Sequence, residues 1–248
     1  LYYYAMCDLK QGGYREGIEK LEKFLKVAPD SPLVPNAYLK IASANYMIKN
    51  MNLSAKYYAL AAESAVDPEI RYMALSNLGR VYQELEQWER AADVWKDVAE
   101  EFPGKGDVVE TLFNLGFCYN RTQRYELAYE VYSRIPDLAI TEEQEGRAHY
   151  WAGVSLKNMS RFKEAAAEFL RVPYLKTGGM WGVTAKLEAA SCYEKLGEVD
   201  EARKLCKEII SSYGNGSDWG KLAQKILDRI EVKKEVDNKK GKTEKGGK

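Results

Sequence analysis

The stretch Leu75–Pro103, LSNLGRVYQELEQWERAADVWKDVAEEFP, carries the pattern from which the fold of this chain is predicted. Its apolar and small residues recur at helical spacing on both sides of a break near Glu86, which indicates two helices joined by a short turn. Helices pack closely where their contact residues are small, and Gly79 and Ala91 suit such a crossing. Aromatic side chains supply the apolar area that neither helix could bury alone, namely Tyr82, Trp88 and Trp95.

This hairpin pattern recurs about six times along the chain. The small residue of the first helix is assigned to Ala5, Ser43, Gly79, Gly116, Gly153 and Ala190, with spacings of 38, 36, 37, 37 and 37 residues. A second small residue follows 12 positions later in each copy, as Gly17, Ala55, Ala91, Ala128, Ala165 and Ala202. A fixed offset in six copies indicates a tandem repeat, in which each hairpin buries its apolar face against its neighbours.

Bulky residues follow the same register. One place on the first helix is assigned to Tyr46, Tyr82, Tyr119, Leu156 and Tyr193, with a deviant Asp8 in the first copy. The turn position is assigned to Tyr14, Asn52, Trp88, Tyr125, Phe162 and Val199.

In these positions the chain resembles the tetratricopeptide repeat (TPR) family. The signature residues in the opening stretch are Leu75, Leu78, Gly79, Tyr82, Trp88, Ala91, Trp95, Val98 and Pro103. The resemblance implies an all-α fold, a right-handed superhelix (α-solenoid) of about six helix-turn-helix repeats plus a C-terminal capping helix.

A single solenoid domain is predicted for residues 1–236. Its repeats are expected at about 1–31, 36–67, 72–105, 109–140, 146–177 and 183–214. Residues 218–236 have apolar side chains at the spacing of one amphipathic helix, which would cap the stack. Residues 237–248 are rich in Lys and Gly and lack apolar side chains, so this tail is predicted to be disordered.

Charge and composition offer no argument for a nucleic-acid or membrane partner. Lys plus Arg and Asp plus Glu both number 37, so the whole chain offers no electrostatic argument for nucleic acid or a membrane surface. Removing the seven lysines and three carboxylates after residue 232 leaves 30 basic and 34 acidic residues, a mildly acidic body. No apolar run approaches the roughly 20 residues of a membrane span.

Residues suited to catalysis or metal binding are sparse. No enzymatic activity, cofactor or metal site is expected. The single histidine, His149, stands at a packing position, with a polar groove role as the alternative. Cys7, Cys118 and Cys192 share one repeat position, which favours packing as small hydrophobes. A pairing of Cys192 with Cys206 stays open. The glycine pairs fit no phosphate-binding pattern.

The resemblance implies a concave groove lined by first-helix residues three before, two before, one after and four after the small residue. This rule selects a candidate partner-binding groove of Lys40, Ser76, Asn77, Arg80, Phe113, Asn114, Phe117, Asn120, Tyr150, Trp151, Val154 and Lys157. It also selects Gln83, and in the second repeat Ile41, Ala44 and Met47. The four large aromatic residues of this set indicate a partner site, or else a surface covered by another part of a superhelix.

The predicted function is a non-catalytic protein–protein interaction scaffold that binds a peptide or helix of a partner. Connections such as PDSPLVPN look like those of bacterial envelope scaffolds of the outer-membrane assembly lipoprotein and Tol-system coordinator type. Two alternatives stay open, a docking or regulatory fragment of a larger enzyme and a protein that self-associates through its terminal repeats.

Two expectations concern cell location and extent. The envelope resemblance favours a periplasmic or envelope-associated location, whereas four cysteines without a CxxC pair suit a reducing cytoplasm. Because Leu1 stands within a helical pattern, the chain is expected to be a fragment or a processed form.

Overall fold

A computed structural model describes residues 1–104, 108–172 and 179–245 of the chain. In these residues it contains thirteen α-helices and no strand. The helices are α1 (Tyr2–Lys10), α2 (Tyr14–Val27), α3 (Val34–Met47), α4 (Met51–Ser64), α5 (Pro68–Glu84), α6 (Trp88–Glu101), α7 (Val108–Arg121), α8 (Tyr125–Ser133), α9 (Glu142–Asn158), α10 (Phe162–Arg171), α11 (Gly179–Leu196), α12 (Val199–Tyr213) and α13 (Asp218–Lys245).

The chain divides into two compact units. The first is Leu1–Gln123 and holds α1 to α7, and the second is Arg124–Lys248 and holds α8 to α13. The sequence predicted one continuous solenoid over residues 1–236. The division falls between the two helices of the fourth predicted repeat, at Gln123.

The turn inside each hairpin contains one residue in the left-handed region of backbone space. These residues are Gly12, Lys49, Glu86, Gln123, Ser160 and Gly197, with φ between 56° and 83°, and they lie 37 residues apart throughout. Only two of the six are glycine, although a side chain in this region costs about 1 to 3 kcal/mol. The described part of the chain therefore has a constant structural period of 37 residues.

A hydrogen bond that closes the turn offsets this strain. In the third hairpin the residue after Glu86, Gln87, donates its backbone N–H to the carbonyl oxygen of Tyr82 at 2.9 Å. The equivalent bond of the fifth hairpin joins Arg161 to Leu156, also at 2.9 Å. Such a bond satisfies a carbonyl that the end of the first helix would leave unpaired.

The constant period corrects the register predicted for the second repeat. Lys49 and Glu86 are equivalent, so the residue equivalent to Gly79 is Ala42, which is fully buried, and not Ser43, which is exposed. The prediction was wrong by one position because Ala42 and Ser43 are both small, and spacing alone does not separate them.

The same shift applies to the other assignments in this repeat. Ser54, not Ala55, is equivalent to Ala91, and Met51, not Asn52, begins the second helix. Asn45, not Tyr46, takes the place of Tyr82; its buried carboxamide donates to the carbonyl oxygen of Ile41 at 2.9 Å.

Each small residue of the first helix has a buried counterpart 16 positions later on the second helix. These counterparts are Leu21, Tyr58, Trp95, Tyr132, Phe169 and Cys206. A Cβ placed on Gly79 would lie 2.7 Å from Cε2 of Trp95, and one placed on Gly153 would lie 2.8 Å from Phe169. The crossing of these hairpins therefore depends on an aromatic ring against a bare helix backbone, whereas the sequence assigned that contact to Ala91.

Several helix ends differ from the prediction, since α5, α9 and α11 each begin four residues before their predicted repeats and α13 ends later than predicted. Helix α5 begins at Pro68, four residues before the predicted repeat, because Asp67 Oδ1 caps it by accepting from the N–H of Glu69 at 2.8 Å. Helix α13 continues to Lys245, past the predicted end at 236 and into the tail that was predicted to be disordered, although Asp237, Asn238 and Gly241 have low helix propensity. Residues 246–248 lie outside the described residues. None of the helices in the described part of the chain has the length and apolar character that crossing a membrane requires.

We expect Gly79→Ala to destabilise the protein, although alanine normally favours a helix over glycine by about 1 kcal/mol. The added methyl group would overlap the Trp95 ring, and overpacking of this kind costs about 1 to 3 kcal/mol. Gly104→Ala is the matched control, because a Cβ there meets no atom within 4 Å. Thermal and denaturant unfolding measure both. Equal stability of the two variants would contradict the packing described here.

Candidate functional site

The first unit carries a group of carboxamide side chains on its first helices. Asn77 and Asn114 lie one 37-residue period apart, on α5 and α7, and Gln83 and Asn120 form a second pair of equivalent positions. All four side chains are half-buried. We call these four residues the amide cluster.

Hydrogen bonds connect the amide cluster across the two helices. Gln83 Nε2 donates to Asn114 Oδ1 at 3.3 Å, which joins α5 to α7. Asn77 Nδ2 donates to the carbonyl oxygen of Met73 at 2.7 Å, one turn earlier on α5. A carboxamide has two N–H donors and an oxygen that accepts, so Asn77, Gln83 and Asn114 retain capacity beyond these bonds.

An aromatic and cationic group lies beside the amide cluster. Phe117 is 36% exposed and meets the ring of Trp88 edge-on, with centroids 5.5 Å apart. The guanidinium of Arg121 lies 4.8 Å from the centre of the same Trp88 ring. The Arg121 guanidinium therefore stacks on the Trp88 ring, with Phe117 at the edge of that ring. Arg121 and Phe117 both stay exposed to solvent.

Phe113 is a correction to the predicted groove. It is only 3% exposed, so it belongs to the interior and is not available to a partner. Sequence reasoning placed it at a groove position, where packing against the rest of the protein was not expected. Ser76, at the equivalent position of α5, is half-buried with its hydroxyl oxygen shielded from solvent.

The register correction changes the groove residues of α3. Ile41 and Ala44 are buried, whereas Ser43 is exposed and Tyr46 half-buried. Lys40 is exposed and keeps its place in the candidate site. Sequence reasoning missed Ser43 and Tyr46 because of the one-residue error, and it assigned Trp88 to packing alone.

The predicted groove residues of the second unit have packing roles. Tyr150 contacts the rings of Phe169 and Trp181, with centroids 5.7 and 5.1 Å away. Trp151 stacks on the buried Tyr132 with centroids 6.4 Å apart. Tyr150 and Trp151, which the sequence placed in the candidate groove, therefore pack within the second unit.

The two remaining groove residues of the second unit are also engaged. Val154 is half-buried and packs against the core of its unit. Lys157 forms an ion pair with Glu188 at 2.5 Å. Residues of α9 and α11 thus make contacts with each other at positions where the first unit carries carboxamides.

His149 has a structural environment. It is buried, and its Nδ1 lies 2.7 Å from Oε2 of Glu168 on α10, while its Nε2 lies 3.8 Å from Glu145 one turn earlier on α9. Arg171 Nη1 approaches the other Glu168 oxygen at 3.2 Å. The histidine therefore links α9 to α10, and its packing position is confirmed.

Three of the four cysteines lie in the core. Cys118, Cys192 and Cys206 are free and buried, and burial raises the pKa of each thiol to about 11. Cys7 lies on α1 and is exposed to solvent. The packing role predicted for it is therefore wrong. No group of three or more potential metal ligands occurs among the described residues.

The helix pairs, the small-residue crossings and the left-handed turns define a protein of tandem helix-turn-helix repeats. Models of the tetratricopeptide repeat match residues 8–68, 76–143 and 184–216, more than half of the chain. The chain belongs to the tetratricopeptide repeat family, and the predicted all-α fold class is confirmed. Proteins of this family mediate protein–protein interactions. A search of curated proteins found no match.

Solved structures show the same fold at low identity. YrrB, described as a TPR protein with an unusual peptide-binding site, is 18% identical, with a TM-score of 0.60 over 85% of this chain and 99% of its own. MamA is 18% identical, with a TM-score of 0.62 over 75% of this chain and 94% of its own. One chain of Naa15/Naa10 bound to HypK-THB is 14% identical, with a TM-score of 0.67 over 90% of this chain and 33% of its own.

We expect the aromatic residues of the first unit to separate into two classes on truncation to alanine. Trp95 is 2% exposed and covers Gly79, so Trp95→Ala is expected to lose about 3 to 5 kcal/mol of stability. Phe117→Ala removes an edge contact at the surface and is expected to lose less than half as much. Denaturant unfolding compares the two variants. Equal losses would show that Phe117 is a core residue and exclude it from the candidate site.

Proposed function

We propose that this chain is a non-catalytic interaction scaffold whose first unit binds an extended peptide of a partner protein along α3, α5 and α7. The amide cluster carries the proposal. A peptide backbone presents one N–H donor and one C=O acceptor per residue, and a carboxamide matches both. Asn77 and Asn114 repeat this capacity one period apart on helices linked through Gln83.

Phe117 supports the same site. Partner binding energy concentrates on aromatic and arginine residues that lose their remaining exposure in the complex. Phe117 and Arg121 are both exposed, and both lie against Trp88, so they are held in place before a partner arrives. The fold shared with YrrB, whose description includes a peptide-binding site, adds support.

The test begins with a selection of linear peptides from a random displayed library on the immobilised chain. The Kd of a selected peptide is then measured by fluorescence anisotropy for the chain and for Asn77→Ala/Asn114→Ala. Loss of two hydrogen bonds at about 0.5 to 1.5 kcal/mol each is expected to weaken binding about 5- to 150-fold. Asn52→Ala, on the exposed face of α4, is the control. Unchanged binding by the double variant would overturn the proposed site.

Self-association is a second candidate function, favoured by α1. Tyr4 is 73% exposed, whereas the equivalent residues of the other five repeats are all buried, namely Ile41, Leu78, Leu115, Ala152 and Ala189. An exposed aromatic side chain at an inter-repeat position favours contact with another helix.

Light scattering of the purified chain tests this second candidate. We expect a concentration-dependent increase in mass that Tyr4→Glu abolishes and that Tyr213→Glu, at an exposed tyrosine of α12, leaves unchanged. A monomer at all concentrations would eliminate self-association through α1.

We further propose that the protein works in the bacterial envelope. This proposal rests on the resemblance of its inter-repeat connections to those of envelope scaffolds. The free cysteines are compatible with such an oxidising compartment, because a thiol reacts as its thiolate and the buried thiols are hardly ionised. A pKa of about 11 leaves roughly one in a thousand of the Cys118, Cys192 and Cys206 thiols ionised at pH 8.

We therefore expect a thiol reagent at pH 8 to modify one cysteine of four, Cys7, in the native protein and all four after unfolding in guanidinium. Cys7→Ser is the control, since it should abolish the native reaction. Rapid modification of three or four thiols in the native protein would mean that the cysteines argue against an oxidising compartment.

A further inference from the structure

The groove side of the first unit lacks carboxylates. At the positions two before, one after and four after the small residue of α1, α3, α5 and α7, all of them described, there is no Asp or Glu. The whole chain has as many acidic as basic residues, and its body is mildly acidic. The groove side of this unit therefore differs in charge from the rest of the chain.

Carboxylates near the edge of this surface are already engaged. Asp8 on α1 forms an ion pair with Lys20 on α2 at 2.5 Å. Glu84, at the end of α5, accepts a hydrogen bond from the Tyr46 hydroxyl, and this bond is the main reason that the pKa of Tyr46 is raised. Neither carboxylate neutralises a cation of the groove.

Two successive first helices carry one exposed cation each at a groove position. Lys40 lies two before the small residue of α3 and Arg80 lies one after that of α5, and neither forms an ion pair within the described part of the chain. The second unit differs, because Lys157 pairs with Glu188 at 2.5 Å and Arg229 pairs with Glu194 at 2.6 Å. Cations without carboxylate partners are thus a property of the first unit's groove side.

We infer that the peptide bound by the first unit is acidic, with Asp or Glu side chains about three residues apart that meet Lys40 and Arg80 in turn. This inference rests on the proposed function. Packed helices lie about 8 to 10 Å apart, and an extended chain advances about 3.3 Å per residue, so one repeat corresponds to about three residues of the peptide. Charge complementarity of this kind selects partners and speeds their encounter.

The test is a selection of peptides with amidated C-termini, in which a terminal carboxylate plays no part. The chain is compared with Lys40→Glu/Arg80→Glu and with a matched control, Lys204→Glu/Lys207→Glu, which reverses two exposed lysines of α12 in the second unit. The inference expects Asp and Glu to be enriched at intervals of three residues with the chain and the control. The groove variant should lose this enrichment.

A selected acidic peptide and its Gln-substituted form then supply affinities. The Gln form is expected to bind at least about fivefold more weakly, and binding of the acidic form should weaken as salt rises from about 0.05 to 0.2 M. Peptides selected without acidic enrichment, or Gln forms that bind equally well, overturn this inference while the amide-cluster proposal stands. If no peptide is selected at all, both proposals fail.

Discussion

Contact between a bulky side chain of the second helix and a glycine of the first determines the geometry of the third and fifth hairpins. Gly79 lies under Trp95, and Gly153 lies under Phe169, with no room for a Cβ at either glycine. At three other crossings alanine is the small residue with counterparts of different size, since Ala5 and Ala190 correspond to Leu21 and Cys206 but Ala42 corresponds to Tyr58. A glycine is required only where the ring approaches the helix backbone this closely, because protein interiors do not tolerate overlap.

With the helix spacing set by these contacts, other positions on the first helices are able to vary. The two units use this freedom differently. The first unit places carboxamides and cations at its groove positions, whereas the second unit places rings and ion pairs there, such as Trp151 on Tyr132 and Lys157 with Glu188. In the proposed function the remaining hydrogen-bonding capacity of Asn77 and Asn114 serves a partner, whereas Lys157 of the second unit is paired within its own unit.

The fold was predictable from the sequence because small and bulky residues recur at a nearly constant interval. The register of the second repeat was not, since Ala42 and Ser43 are interchangeable by size, and only burial distinguishes them. The backbone conformations of the turns were also not predictable from the sequence. Lys49, Glu86 and Ser160 adopt left-handed conformations that a sequence pattern assigns to glycine.

The candidate site was predictable in part. Asn77, Asn114 and Phe117 follow from the repeat position alone, because the positions two before and one after the small residue are exposed or half-buried on each of α3, α5 and α7. Phe113 does not, because its burial depends on what surrounds it in three dimensions. The stacking of Arg121 and Phe117 on Trp88 joins residues of different repeats, which no single-repeat pattern contains.

The constant spacing of 37 residues between the turn residues has a genetic consequence. Unequal recombination between two copies of the coding segment, at equivalent positions, would add or remove one whole hairpin and leave every remaining crossing in register. The array is thereby able to lengthen or shorten in single steps during evolution, and a groove surface of one composition is able to be copied beside itself. The interval itself is protected, because an insertion of one residue within a helix would turn its small residue away from its aromatic counterpart.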